Sequence, residues 1–170
     1  MLKHYSCSVS LHHLASDLPY SSEFEATATL YQNDWQRFHL VLTEPAAMRA
    51  IAPVQFPPGA TATTTLTIPR LLWLELSPSR VSLTTQGNSP FSYRHLWDRG
   101  LYGISRYWLQ EEITSPSRLF CLRNYTRSLM MQGSPLPRFV RVEYELWADQ
   151  VRLGDYILNL EIFSDCHAVG

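Results

Sequence analysis

The sequence predicts one mostly-β domain whose antiparallel strands close into a barrel, with one or two short helices. Three observations lead to this fold class. Apolar and polar residues alternate with a period of two in most segments, turn-forming residues separate these segments at short intervals, and few segments have the 3.6-residue period of a helix. A chain of short sequential strands of this kind is typical of barrels and sandwiches.

The clearest element is a hairpin over residues 139–163. Even-numbered residues in 140–146 are apolar and alternate with charged residues, and the same pattern recurs in 156–162. Between these segments the apolar phase changes at Gly154, which predicts a β-bulge. We therefore expect two long antiparallel strands that turn near residues 148–150.

The earlier part of the chain contains further strand patterns. A second hairpin is predicted from residues 23–31 and 35–43, with a turn at Gln32-Asn33-Asp34. The other predicted strands cover residues 5–11, 61–68, 71–76, 81–85, 91–97 and 118–131.

Two segments have helical character. Residues 44–51 combine Pro45 with good helix formers, which predicts one or two helical turns. Residues 104–113 fit a helix and a strand about equally well.

Among the possible β architectures, a lipocalin-like closed barrel of about eight to ten strands is preferred. Long sequential hairpins dominate the chain, and closure removes the exposed edge strands that promote aggregation. The alternatives are a β-sandwich and an α+β antiparallel sheet.

Length and composition predict a single domain over residues 1–170. The chain is 45% hydrophobic, so it can bury a substantial core. No apolar run approaches the roughly 20 residues that cross a bilayer, and the first ten residues alternate like a strand, unlike a signal peptide. Together with three scattered cysteines, these features predict a cytoplasmic protein without disulfides and without a membrane span.

The charges are unevenly placed although the net charge is -1. Residues 1–79 contain four basic and six acidic residues, residues 80–138 contain eight and three, and residues 139–170 contain two and six. The middle third is therefore the basic part of the chain. The near-zero net charge argues against nucleic acid as a partner for the protein as a whole.

A mixture of aromatic, arginine and histidine residues in this middle third is the candidate ligand-binding site. The predicted site residues are Tyr93, Arg94, His95, Trp97, Arg106, Tyr107, Trp108, Arg123 and Arg127. Aromatic rings stack on planar or apolar groups, and guanidinium groups pair with carboxylates or phosphates. No catalytic residue, metal ligand or cofactor is predicted, because the known catalytic and metal-binding motifs are absent from the sequence.

These residue types fit several functions. We favour a non-enzymatic binding or assembly factor that docks on a partner protein, because Trp, Tyr and Arg are enriched at interface hot spots. The alternative is a carrier of an amphipathic anionic molecule such as a tetrapyrrole, isoprenoid or lipid, and a binder of single-stranded RNA is a minor alternative. A structural interpretation also applies: the rings fill the core and the arginines pair with Glu111, Glu112, Glu143 and Glu145.

Residues 105–111, Ser-Arg-Tyr-Trp-Leu-Gln-Glu, resemble a segment of the chorismate lyases, which have an antiparallel sheet and a similar length. In that family an Arg of this segment binds the substrate carboxylate, and a Glu on a late strand donates a proton. The resemblance implies Glu161 as the corresponding acid, whereas Gln110 occupies the position of the Arg. An enzyme of this type is the minor alternative.

Overall fold

Ten antiparallel strands close into a barrel in the computed structural model, which describes residues 3–19, 21–43, 71–86, 91–109 and 116–163. In chain order they are β1 (Lys3–Ala15), β2 (Ser21–Gln32), β3 (Phe38–Thr43), β4 (Leu71–Leu76), β5 (Arg80–Gln86), β6 (Phe91–Asp98), β7 (Tyr102–Leu109), β8 (Arg118–Gln132), β9 (Phe139–Ala148) and β10 (Val151–Phe163). The described residues form no helix. This part of the chain accordingly holds no helix that is long and apolar enough to cross a membrane.

The ring is complete because the first and last strands pair with each other. Every other strand pairs with its neighbours in sequence, and β1 pairs with β10 from Ser8↔Phe163 to Ala15↔Tyr156. The predicted closed barrel is thereby confirmed, and the sandwich alternative is excluded. The strand order is that of an up-and-down barrel, with two strands more than the eight of the lipocalins.

The strand boundaries confirm the predicted turn and bulge of the last hairpin. The last hairpin turns at Asp149 and Gln150, where Asp149 has a positive φ of 52°, and the register of β9 and β10 shifts between Arg152 and Gly154, as the predicted bulge requires. Residues 104–109 belong to strand β7, which decides between helix and strand for the described part of that segment. The predicted helix at 44–51 and strand at 61–68 lie outside the described residues.

Side chains alternate between the barrel interior and its outer wall, which is the geometry of every β-strand. Beside β1–β5 the interior is mostly aliphatic, and Leu30, Leu40 and Leu74 are each 0% exposed. Beside β6–β8 it is aromatic and polar. Burial of a leucine side chain contributes about 1.5–3 kcal/mol relative to exposure, so the aliphatic half supplies much of the driving force for folding.

Gly103 on β7 lets an amide side chain join the strands on either side of it. Its register partner on β8 is Asn124, and the regular pairing of β6 with β7 ends at His95↔Ser105. The Asn124 Nδ2 group donates to the Leu96 carbonyl oxygen on β6 at 3.1 Å and to Ser105 Oγ on β7 at 2.9 Å. The amide therefore bridges β8 to β6 at the point where the backbone ladder between β6 and β7 stops.

We expect the Gly103→Ala substitution to lower the free energy of unfolding by at least about 2 kcal/mol, because overpacking of a tight site is costly. A Cβ at this position would lie 2.8 Å from Asn124 Oδ1 and closer still to the Leu96 carbonyl oxygen. Urea denaturation followed by tryptophan fluorescence measures the change.

The matched control is Gly100→Ala, at a glycine with a φ of +71° and no atom within 4 Å of the added Cβ. Backbone strain alone should cost this variant about 1 kcal/mol. Wild-type stability of Gly103→Ala would contradict the proposed close packing of β6, β7 and β8.

Candidate functional site

The alternation of side chains divides the nine predicted site residues between the two sides of the barrel. Four of them are buried in the interior: Tyr93, His95, Trp97 and Tyr107. The other five lie on the outer wall: Arg94, Arg106, Trp108, Arg123 and Arg127. The structure therefore forms two groups of side chains where the sequence suggested one.

The four interior residues join a larger aromatic cluster, which we define as Tyr93, His95, Trp97, Tyr107, Tyr144, Tyr156 and His13. The ring centroids of His95 and Trp97 lie 5.0 Å apart with an interplanar angle of 3°, and Trp97 lies 5.1 Å from Tyr144. Tyr144 in turn stacks on Tyr156 at 5.5 Å. Stacked and edge-to-face rings of this kind add about 0.5–1.5 kcal/mol per pair beyond area burial.

Sequence reasoning did not assign three members of this cluster to the site. Tyr144 and Tyr156 occupy inward positions of the last hairpin, and His13 lies near the end of β1. The alternation of apolar and polar residues predicted that both tyrosines point into the core. It could not predict that they lie close to Trp97, because that contact depends on the pairing of distant strands.

Both histidines of the aromatic cluster make short hydrogen bonds in the interior. His13 Nε2 lies 2.9 Å from the Tyr144 hydroxyl, and His95 Nδ1 lies 2.8 Å from Ser105 Oγ. Burial lowers the pKa of His95 to about 3, with a further contribution from His13. Burial also lowers the pKa of His13 to about 4, with a further contribution from His12. Both imidazoles are therefore neutral at pH 7.

The interior also contains buried polar atoms that no described residue satisfies. They include the indole nitrogen of Trp97, Oδ1 of Asn124 and Oγ1 of Thr126. Buried polar groups of this kind usually bind ordered water or a small polar molecule. None of the described Asp, Glu, Lys or Arg residues is buried, so the interior offers neutral hydrogen-bonding groups and no formal charge.

The outer surface of β6, β7 and β8 carries the other group, which we call the basic wall. It consists of Arg94, Tyr102, Ile104, Arg106, Trp108 and Arg123. Arg94 and Arg106 are direct register partners across β6 and β7, and Ile104 is the partner of Arg123 across β7 and β8. The Arg123 guanidinium lies over the ring of Tyr102, 4.8 Å from its centroid. Cationic and apolar groups therefore form one continuous surface.

The arginines of this region differ in their ion pairs. Arg127 lies 3.9 Å from Glu145 and 3.6 Å from Asp155, which agrees with the structural interpretation for that residue. No carboxylate of a described residue lies within 4.0 Å of Arg94, Arg106 or Arg123. Arg94 and Arg106 thus remain available within the described part of the protein, whereas Arg123 also donates to the Asp149 carbonyl oxygen at 3.3 Å.

A second surface feature lies on the outer side of β1, β2, β9 and β10, and we call it the acidic groove. It has a volume of about 300 Å³ and is lined by Ser10, His12, Glu23, Phe139, Arg141, Asn159 and Glu161. Its one arginine is already engaged, because Arg141 donates to Glu143 Oε1 at 2.8 Å and to Asn159 Oδ1 at 3.1 Å. Glu23 and Glu161 are exposed, and neither forms an ion pair with a described residue.

These positions bear on the functions that the sequence suggested. A ligand inside the barrel would contact the aromatic cluster but none of the arginines of the basic wall, so the structure does not combine the two halves of the predicted anion carrier site. Glu161 lies on β10, and β8 and β9 separate that strand from β7 with its segment 105–109. The acid and residues 105–109 of the segment that resembles chorismate lyases are thus not brought together, and Gln110 lies outside the described residues.

We expect the two histidines of the aromatic cluster to make the protein less stable in weak acid. In the unfolded chain each titrates near the ordinary value of 6.5, whereas the folded pKa values are about 3 and about 4. Unfolding therefore takes up protons below pH 6.5, and the free energy of unfolding falls as the pH falls towards the folded values. At pH 5 each histidine should cost about 2 kcal/mol relative to pH 8.

The measurement compares urea unfolding of the wild type and His95→Asn between pH 8 and pH 5. The variant should lose about 2 kcal/mol less than the wild type over this range. His4→Asn, on the outer side of β1, is the control and should follow the wild type. An identical pH dependence of His95→Asn and wild type would show that His95 does not titrate as a buried neutral group.

Comparison with known proteins shows the fold of this chain. No protein-family model matches the sequence, and no curated protein matches it. The chain is similar in structure to the ywiB protein from Bacillus subtilis, known from a crystal structure, with a TM-score of 0.53 and 12% sequence identity. That similarity covers 94% of this chain and 92% of the other, and at this identity it supports the barrel architecture alone.

Proposed function

We propose that this protein is a non-enzymatic binding factor that docks on a partner protein through the basic wall. The observation that carries this proposal is the pair of facing arginines, Arg94 and Arg106. Like charges directly opposite each other on a sheet are destabilising. No described carboxylate compensates this pair, so an anionic group of a bound partner would relieve the repulsion.

The apolar members of the basic wall support a protein as the partner. Tyr102 is 59% exposed and Ile104 is 42% exposed, and both lie on the same strand as Arg106. Leu119, the register partner of Trp108, extends the apolar surface and is 53% exposed. Exposed apolar side chains that adjoin one another beside polar groups are typical of protein interaction sites.

The chemistry of the basic wall defines the partner. Guanidinium groups bind carboxylates in a bidentate geometry, and the neighbouring rings and aliphatic groups take up apolar side chains. The partner surface should therefore carry Asp or Glu next to Leu, Phe or similar residues. We place the interaction in the cytosol, where thiols remain reduced, because the exposed Cys121 forms no disulfide with a described residue.

Binding of defined peptides tests this proposal. We expect a labelled peptide of Glu, Leu and Phe to bind the wild type in fluorescence anisotropy, with an affinity that falls as salt screens the charges. A peptide with Gln in place of each Glu should bind at least about tenfold more weakly, which corresponds to about 1.4 kcal/mol. The double variant Arg94→Gln/Arg106→Gln should reduce binding of the acidic peptide by a similar factor.

The matched control is Tyr93→Phe, which changes the aromatic cluster inside the barrel and leaves the basic wall intact. It should bind the acidic peptide like the wild type. Equal affinity of the wild type and the double arginine variant would contradict the proposal. Tighter binding of a labelled single-stranded RNA than of the acidic peptide would also contradict it and would assign the basic wall to nucleic acid.

A further inference from the structure

The basic wall of one molecule and the acidic groove of another are complementary, and we propose that they bind each other, so that a second copy of this chain is a partner. This inference rests on the proposed docking function of the basic wall and names its occupant. It follows from the closure of the barrel, since the pairing of β1 with β10 brings the two acidic ends of the sequence together on one surface.

The acidic groove has the groups that arginine side chains require. Glu23 and Glu161 offer exposed carboxylates that no described residue pairs, and guanidinium groups bind carboxylates through charge-assisted hydrogen bonds. Phe139 adds an aromatic ring, on which a guanidinium group can stack. With a volume of about 300 Å³, the groove can admit side chains that protrude from a second molecule.

Closure of the barrel limits strand addition as a route to self-association. Strand addition requires an exposed sheet edge with unpaired backbone groups, and each of the ten described strands pairs with a neighbour on both sides for at least part of its length. Contact through side chains of the outer walls requires no such edge. The basic wall carries Arg94 and Arg106, and the acidic groove carries Glu23 and Glu161, and none of these four residues forms an ion pair with a described residue.

The geometry of this contact predicts the kind of assembly. The basic wall is centred on β7, and the acidic groove is built on β1, β2, β9 and β10. A contact between two different surfaces is head-to-tail, so each bound pair retains one free basic wall and one free acidic groove. Association should therefore continue beyond the dimer, and its strength should fall with ionic strength because the contact is largely electrostatic.

Sedimentation of neutralised variants tests this inference. In the wild type, the average mass should rise above the monomer mass of 19.6 kDa as the concentration increases, and return to it in high salt. The variants Arg94→Gln/Arg106→Gln and Glu23→Gln/Glu161→Gln should each remain monomeric, because each lacks one half of the contact. An equimolar mixture of the two variants should form a dimer of twice the monomer mass and no larger species. The arginine variant keeps its acidic groove and the glutamate variant keeps its basic wall, so these two surfaces can bind each other. The two surfaces that remain free in this dimer are the neutralised ones, so no further molecule can add.

The control variant is Glu75→Gln, at an exposed position on β4 outside both surfaces, and it should associate like the wild type. A wild type that sediments as a monomer at every concentration would overturn the inference. So would self-association of either double variant to the wild-type extent, or a mixture that stays monomeric.

The same proteins separate this inference from the proposed function. If the wild type remains monomeric but binds the acidic peptide through Arg94 and Arg106, the partner is another protein and the docking function stands. If neither self-association nor peptide binding occurs, both proposals are wrong.

Discussion

The pairing of β1 with β10 is the interaction on which the rest of this structure depends. Eight register pairs, from Ser8↔Phe163 to Ala15↔Tyr156, join the two ends of the sequence. Without them the sheet would have two long edges and its inner face would be open to water. With them, every strand has one face towards the barrel interior and one face towards solvent. The alternation of side chains along the strand then determines the face on which each residue lies.

Closure also determines the distribution of charge. Along the sequence the acidic thirds lie at the two ends and the basic third lies between them. Around the barrel the ends become neighbours, which places Glu23 of β2 and Glu161 of β10 on the same groove, while Arg94 and Arg106 occupy another part of the circumference. A protein of nearly zero net charge thereby presents two surfaces of opposite sign. Binding properties of such a molecule depend on these local surfaces more than on the total charge.

The strand period predicted much of the fold and little of the site. The last hairpin, its bulge at Gly154 and the inward phase of β9 and β10 all follow from apolar residues at alternate positions, which is a local signal. The nine candidate residues share a sequence region, but alternation sends His95 inward and Arg94 outward. Sequence proximity on a strand is therefore poor evidence for a common binding surface.

The parts of the site that the sequence could not reveal depend on long-range pairing. His13 meets Tyr144 although 131 positions separate them, and no local pattern predicts this contact. That no described carboxylate pairs with Arg94 likewise depends on which parts of the chain the fold brings near it. The irregular register of β8 between Thr126 and Ser128 changes the phase of that strand, and the two-sided apolar pattern of its sequence conceals the change.

The most direct test of this account is the solvent exposure of the indole groups of Trp97 and Trp108 in the folded protein. Both residues belong to the predicted site, but Trp97 is 1% exposed in the interior whereas Trp108 lies on the outer wall. In an NMR spectrum of the ¹⁵N-labelled protein, a soluble gadolinium chelate should attenuate the indole N–H signal of Trp108 strongly and that of Trp97 weakly. Strong attenuation of the Trp97 signal together with protection of Trp108 would contradict the division of the site between the two sides of the barrel.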